Sequence, residues 1–562
     1  MITSTPTSKK SSSIWFRVLP LILITALLTS TAWREKENHP LDFWSHSAAY
    51  GDYVNICLAH ALNIDAWISR PPGSGGRDIN VNNTLHPGLP LQGASWVAYR
   101  LSSIGKGADA MARCASVFRD PSSFWAATRL MSIAIGVFFS VLLARAAASH
   151  GVFYSLAVGL AYFCYEPAWD YSIRLLGNES FALPLSLATA WLAAKSLGSA
   201  HHNYAPAWWA GWGAMCALCW LNKLNYIAWT AAAFPACLIY LAANRPTARE
   251  AGVRFILYVA GFLVSAQSAT ALMLGKKGFE NIVSLHVGVL THSGAYGGGP
   301  EGAVSASAVR EAVHALSAYW QFLALAGIIC TLALWFVCFD WIKHKTPKSN
   351  SAYLVYLVST AALFLAATLK HYGAHYLIPG VPAISLLILA IGSRIGFKGR
   401  IAIILAVAMT LILSYRRYSV IQEANFIRET EFISEVRAVE KLPGRLEAGA
   451  LWTYRLPHKK FVMEAIEFLA GVPEVATVLD QEFTTPDLAY FLWIPEVRTG
   501  GGTVRFDAAK WRYAVFGREY FEYFLTGPQS IAKDYFEQRC RRVIHGPLVI
   551  VFERNTEDQL SR

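Results

Sequence analysis

An α-helical membrane protein with about eleven spans, followed by a small α/β domain, is the fold class this sequence predicts, on three observations. Only 15% of the 562 residues are charged while 54% are hydrophobic, against about 25% charge in a soluble domain. Apolar runs near the roughly 20 residues that a bilayer crossing needs recur as far as residue 415. Beyond it the chain turns to short alternating runs with balanced charge.

The apolar runs lie near 15–33, 124–144, 151–166, 180–194, 205–221, 225–243, 255–274, 318–339, 352–369, 376–392 and 399–415. The first follows Lys9, Lys10 and Arg17. It reads as an uncleaved signal-anchor although "TSTA" resembles a cleavage site, because an integral membrane protein needs no cut. No run has a charge at its centre; Arg129 and Lys223 lie near run ends.

Loop charges orient the runs. With the N-terminus inside and strict alternation, the cytoplasmic segments and Arg17 hold 14 Lys or Arg against two acids, Glu250 and Asp340. The other 14 acids of residues 1–415 fall outside, which is the positive-inside pattern. The C-terminal tail then lies outside, in the periplasm of a Gram-negative cell, and the protein belongs to the inner (plasma) membrane.

Residues 1–415 are thus the membrane domain, with a long first external loop over 34–123, and 416–562 the extracytoplasmic domain. The tail carries 20 basic and 21 acidic residues, so the +12 net charge is a topology signal, not a nucleic-acid footprint. Its runs "GALWTYR", "EVATVLD", "WRYAVFG" and "PLVIVFE" read as strands, and "FVMEAIEFLAG" and "SIAKDYFEQRC" as helices.

Polar chemistry collects on the outer face. The first loop carries Asp42 and Asp52 in an amphipathic stretch, then "LHPGLPLQGASWVAYRL", a short surface helix entered by a proline turn. Three seams follow: "YEPAWDYSIRLLGNES" with Glu166, Asp170, Arg174 and Glu179; "CWLNKLNYIAW" with Lys223; and "LKHYGAHYLIPGVP" with Lys370, His371, His375 and Tyr376. A second long external loop, about 275–316, contains "GAYGGGPEG", which reads as a flexible lid. Cys216 and Cys219 form a CxxC inside an apolar run, where small buried thiols are the plain reading. No cofactor motif is present. His371 and His375 would pair on a divalent metal only on a helix, which Pro379 and the interface location oppose.

In these features the chain resembles the class C glycosyltransferases, in the branch holding the protein O-mannosyltransferases and the lipid A aminoarabinose transferase. The long first loop with an acid, "HPGLPL", "GWGAMCALCWLNKLNY" and "LKHYGAHYLIPGVP" carry the resemblance over most of residues 15–392. The family's adjacent Asp-Glu pair is missing, so Asp52 and Asp42 both stand as the base.

The resemblance implies a sugar moved from a polyprenyl-phosphate carrier to an extracytoplasmic lipid, glycan or protein. It makes a first-loop aspartate the general base, and His86, Glu179 and Tyr376 substrate contacts. The lipid phosphate is best met by cations at head-group depth, for which Lys370, His371, Lys223 and Arg174 are placed. The rival readings are a flippase for lipid-linked glycans, an O-antigen polymerase or ligase, and a scaffold for a binding tail. A transporter holds ionisable groups near the midplane, where these runs are bare.

Overall fold

The computed structural model describes residues 14–38, 52–69, 88–105, 109–198, 205–274, 277–292, 302, 304–344, 349–370, 373–440, 448–450, 477–478, 489–493, 496–499, 502–505, 513–518, 521–522, 530–547 and 549–555. They fall into two compact units. One gathers 1–34, 83–91 and 130–419, and the other 35–82, 92–129 and 420–562.

Every apolar run is helical. The helices begin α1 (Ile14–Asn38), α2 (Asp52–Ser69), α3 (Leu89–Ser102), α4 (Ala110–Arg119), α5 (Ser122–Ala146), α6 (Val152–Leu160) and α7 (Pro167–Ile173). They continue with α8 (Ala182–Gly198), α9 (Ala205–Asn222), α10 (Ile227–Ala231), α11 (Ala233–Asn244) and α12 (Ala248–Leu274). Then come α13 (Gly278–Thr291), α14 (Ala306–Ser317), α15 (Trp320–His344), α16 (Ser349–Lys370), α17 (Val381–Ile391) and α18 (Phe397–Glu440).

Among the described residues, eight helical stretches are long and apolar enough to cross a membrane, and Val18–Arg34 and Val152–Cys164 are shorter apolar helices. The 18-residue α9, with four tryptophans diluting its hydropathy, completes the eleven. The chain is a multi-pass membrane protein. Helices suit that solvent because each satisfies its own backbone groups where water is absent.

Glycine sets the tightest contact in the first unit. A Cβ on Gly213 of α9 would overlap the Tyr258 carbonyl of α12, and one on Gly261 would overlap the Ala210 carbonyl. Small residues on both faces let the two backbones approach, as membrane helices do when packing alone drives association. Aromatic hydroxyls tie other helices. Tyr356 of α16 donates to the Trp229 carbonyl at 2.9 Å and receives Trp212 Nε1 at 3.2 Å. Tyr154 of α6 donates to the Ile388 carbonyl of α17 at 2.6 Å.

Two expectations change. The segment expected as a long external loop carries α13 and α14. Ile282 of α13, with Phe279, Leu285 and Val289, packs on Trp220, Leu221 and Ala266 of α9 and α12, while Val283, Val287 and Leu290 of the same helix stay exposed. The glycine stretch expected as a lid lies, except for Gly302, outside the described residues. In the tail, Thr477 and Val478 within "EVATVLD" are helical, not extended.

The second unit holds a seven-stranded mixed sheet of order β4-β3-β2-β1-β5-β7-β6. Its strands are β1 (Ala448–Ala450), β2 (Ala489–Trp493), β3 (Glu496–Thr499), β4 (Gly502–Arg505), β5 (Tyr513–Gly517), β6 (Cys540–His545) and β7 (Val549–Arg554). β1 runs parallel to β2 and β5, and the other pairs are antiparallel. Helix α19 (Ser530–Arg539) supplies Phe536, whose ring meets Phe516 of β5 at 4.8 Å and Phe552 of β7 at 5.5 Å. "FVMEAIEFLAG" lies outside the described residues.

Candidate functional site

The centre of the first unit's polar chemistry is the break between α9 and α10. Helix α9 stops at Asn222, whose side-chain amide donates to the Asn178 carbonyl at 2.8 Å. Lys223 then turns extended, at φ −161° and ψ 143°, before a single 3₁₀ turn over Leu224–Tyr226. That break aims the lysine into the protein. Its ammonium donates to Glu179 Oε1 and lies 4.4 Å from the centre of the Tyr376 ring.

Glu179 is fully buried and Lys223 is 4% exposed. Glu179 comes from the 3₁₀ turn Asn178–Phe181 that leads into α8. Tyr376 comes from the 3₁₀ stretch Ala374–Gly380, which Pro379 and Pro382 prevent from joining α17 as one regular helix. Asn225 fastens that stretch by donating to the Tyr376 carbonyl at 2.9 Å, and the His375 ring packs on Tyr376 at 4.2 Å. Three helix breaks thus meet around one ion pair. The pair is half-served: Glu179 Oε1 takes the lysine, whereas Oε2 has no partner among the described residues.

Arg174 is buried and reaches Asp170 at 3.4 Å, one turn back across the end of α7. Its neighbour in charge is Glu166, a buried carboxylate facing Arg417 at 3.7 Å. Burial first, then the Asp170 charge, pushes the Glu166 carboxyl up to about 7, with Arg417 and Arg174 pulling the other way. A near-neutral carboxylic acid beside two guanidinium groups can exchange a proton at physiological pH.

Lys370, expected as a phosphate clamp, donates to the Val289 carbonyl. That oxygen belongs to the last turn of α13, where carbonyls lack intrahelical partners and the helix dipole favours a cation. The same helix is held by Trp220 Nε1, which donates to His286 Nδ1 at 2.9 Å. Burial pushes the pKa of His286 down to about 4, so the ring stays neutral and free to accept.

Of the other expected site residues, Asp42, His86 and His371 lie outside the described residues. Asp52 opens α2, but its side chain also lies outside them. Of the first-loop acids that are described, Asp109 caps α4 by accepting from Ala112 N–H and Asp120 accepts from Ser122, and the buried one, Asp65, is no base. Arg113 grips its Oδ2 through Nη2 at 2.7 Å and Nε at 3.2 Å, and Arg100 and Trp96 share its Oδ1. Among the described residues no group of three His, Cys, Asp or Glu is arranged to hold a metal ion. Cys216 and Cys219 are buried thiols, the latter 3.2 Å from the Thr189 hydroxyl.

The structure therefore brings together Lys223, Glu179 and Tyr376, three residues drawn from three separate seams. Sequence reasoning missed Asn178, Asn222 and Asn225 around them. The signal was present, since three asparagines flanking a lysine and a glutamate at the ends of apolar runs are costly in lipid unless they bond.

No family model matches the sequence, and no curated protein matches it. Among solved structures, the chain is similar to ArnT from Cupriavidus metallidurans bound to undecaprenyl phosphate. That likeness covers 98% of this chain and 99% of that one, at 11% identity and a TM-score of 0.49. ArnT from the same organism in the apo state is similar over 97% and 99%, at 11% identity and a TM-score of 0.44.

Proposed function

We propose that the protein is a class C glycosyltransferase of the inner membrane, N-terminus in the cytoplasm. It moves a sugar from a polyprenyl-phosphate carrier to an extracytoplasmic lipid, glycan or protein. The observation that carries the reading is the buried Lys223–Glu179 pair under Tyr376 at the meeting of three helix breaks. The sequence resemblance, which rests on the same seams, supports it.

In this reading the acceptor oxygen attacks the anomeric carbon, and the bond from that carbon to the phosphate oxygen breaks. Polyprenyl phosphate leaves with the electron pair, and its charge is met by Lys223, Lys370, His371 and Arg174. A first-loop aspartate, Asp52 or Asp42, takes the acceptor's proton. Glu179, Tyr376 and His86 contact the substrates. Burial helps this division of labour, because charge developing on the leaving phosphate is stabilised more strongly where water is excluded.

The broken helices with an ion pair also suit a lipid-linked glycan flippase. The two readings part over one bond, since a flippase returns the carrier with its sugar attached. The test is mass spectrometry of glycolipids and glycoproteins from cells with and without the gene. Loss of one sugar-modified species, with its polyprenyl-phosphate sugar accumulating and restored by wild type but not by a Lys223→Met/Glu179→Gln double variant, is the expected result. Unchanged glycolipids and glycoproteins sink the transferase.

A further inference from the structure

Around the Lys223–Glu179 pair, four buried side-chain oxygens have no partner among the described residues: Asn178 Oδ1, Glu179 Oε2, Asn222 Oδ1 and Asn225 Oδ1. For two of them the choice between oxygen and nitrogen is fixed by chemistry. Asn222 directs an amide group at the Asn178 carbonyl at 2.8 Å, and Asn225 directs one at the Tyr376 carbonyl at 2.9 Å. A backbone carbonyl only accepts, so each of those groups is the NH₂ and each oxygen is left over.

The four residues form one connected neighbourhood. Asn178 precedes Glu179, Asn222 precedes Lys223, and the Asn222 amide and Tyr226 hydroxyl converge on the Asn178 carbonyl. Asn222 and Glu179 are fully buried and Asn178 is 7% exposed. Buried polar atoms are nearly always bonded. Four acceptors left without donors in one neighbourhood therefore point to a ligand that brings donors.

We propose that Asn178, Glu179, Asn222 and Asn225 form an accepting cradle for the hydroxyl groups of a neutral sugar, the headgroup of the lipid-linked donor; this rests on the transferase reading above. The charge balance selects the class. Lys223 bonds the only carboxylate in the cradle directly, and Lys370, His371 and Arg174 also face the carrier phosphate in the reading above, so no unmatched negative charge remains to receive an ammonium. A uronic acid would set its carboxylate against oxygens that can only accept. A neutral polyol supplies donors and no charge.

The experiment uses the full-length protein in nanodiscs and four synthetic probes: decaprenyl phosphate, and the same carrier bearing mannose, glucosamine or glucuronic acid. Two or more hydroxyl bonds made in place of none predict that the mannosyl carrier binds about tenfold or more tighter than the bare carrier. The glucosaminyl and glucuronosyl carriers should fall below it. Asn178→Leu removes one accepting oxygen and should erase most of the mannosyl gain, read as the ratio of mannosyl-carrier to bare-carrier affinity within the same variant. Asn225→Ala serves as the second variant should the first not fold.

If bare decaprenyl phosphate binds wild type but no sugar improves on it, the cradle is wrong and the transferase stands. Tighter binding of the amino sugar or the uronic acid also overturns the neutral class. Binding by none of the four probes overturns both readings. Retention of the mannosyl gain in both variants removes these asparagines from the site.

Discussion

Two buried ion pairs in this chain are built alike and finished differently. Asp65, between α2 and the arginines of α3 and α4, has both oxygens filled: Arg113 takes one, Arg100 and Trp96 the other. Glu179, at the head of α8, gives one oxygen to Lys223 and leaves the second without a partner among the described residues, beside amide oxygens in the same condition. Both carboxylates are almost wholly buried, Asp65 at 2% exposed and Glu179 at 0%, so burial does not separate them. Saturation does. A carboxylate with its capacity filled by planar guanidinium forks is a clasp that fixes helices. One left half-open against a single point charge keeps capacity for something else.

The largest expected effect tests the clasp. Asp65→Ala leaves Arg113, a side chain only 6% exposed, as an uncompensated buried charge. Breaking such a pair costs about 3–5 kcal/mol, enough for most of the protein to fail to accumulate. The Lys223→Met/Glu179→Gln double variant, which removes both charges of the other pair together and so leaves no buried ion unpaired, should leave abundance near wild type while transfer falls. Expression and thermal unfolding of the purified variants, set beside transfer rates, decide the contrast. A stable Asp65→Ala protein lacking transfer would reverse the two roles.

Next in size is the base. Asp52→Asn or Asp42→Asn should lower the transfer rate by about 10²–10⁴, the usual worth of general-base catalysis, with abundance unchanged. Both variants turning over normally would move the search to Glu179, whose second oxygen then becomes the candidate acceptor of the proton.

Much of this contrast was not legible in the sequence. All eleven apolar runs announced themselves by composition, and α2 and α3 by their amphipathic stretches, because a membrane helix needs only local apolar content and backbone self-sufficiency. Lys223, Glu179 and Tyr376 were each visible as polar residues at run ends. Their meeting was not, since it joins positions 44 and 153 residues away from the lysine and depends on helix packing. Asp65 and Arg113 stand 48 residues apart for the same reason. The β3–β4 hairpin was readable and missed: "VRTGGGTVR" places Gly500 and Gly501 between two alternating arms, the shortest hairpin signal there is.

Glu166 offers a case between the two. It faces Arg417, yet burial and Asp170 outweigh the cations and hold its carboxyl up at about 7, above the ordinary 4.5. The folded state therefore holds the proton more tightly than the unfolded one. Its contribution to stability is fully present below about pH 4.5 and is lost as pH rises toward 7. Wild type should lose thermal stability between pH 5 and pH 8 more steeply than Glu166→Gln, measured on both proteins in one detergent. Parallel pH profiles would show that Glu166 is a saturated clasp like Asp65.

The smallest effect on folding, and the finest test of the comparison, belongs to Lys370. It donates to the Val289 carbonyl at the end of α13, which is a clasp-like duty, whereas the proposed function gives it the carrier phosphate. As a helix-end cation it contributes about 0.3–1 kcal/mol, so Lys370→Ala should remain folded on either reading. Donor use separates them. If the ammonium also meets the phosphate, Lys370→Ala raises the donor concentration needed for half-maximal transfer, because water does not replace a cation facing a phosphate at low dielectric. Lys370→Arg should then be only partly tolerated, since a planar fork does not reproduce a point charge. If the lysine only caps α13, both variants keep near-wild-type kinetics at limiting and at saturating donor. Transfer assays under those two conditions assign Lys370 to the half-open pair or to the scaffold.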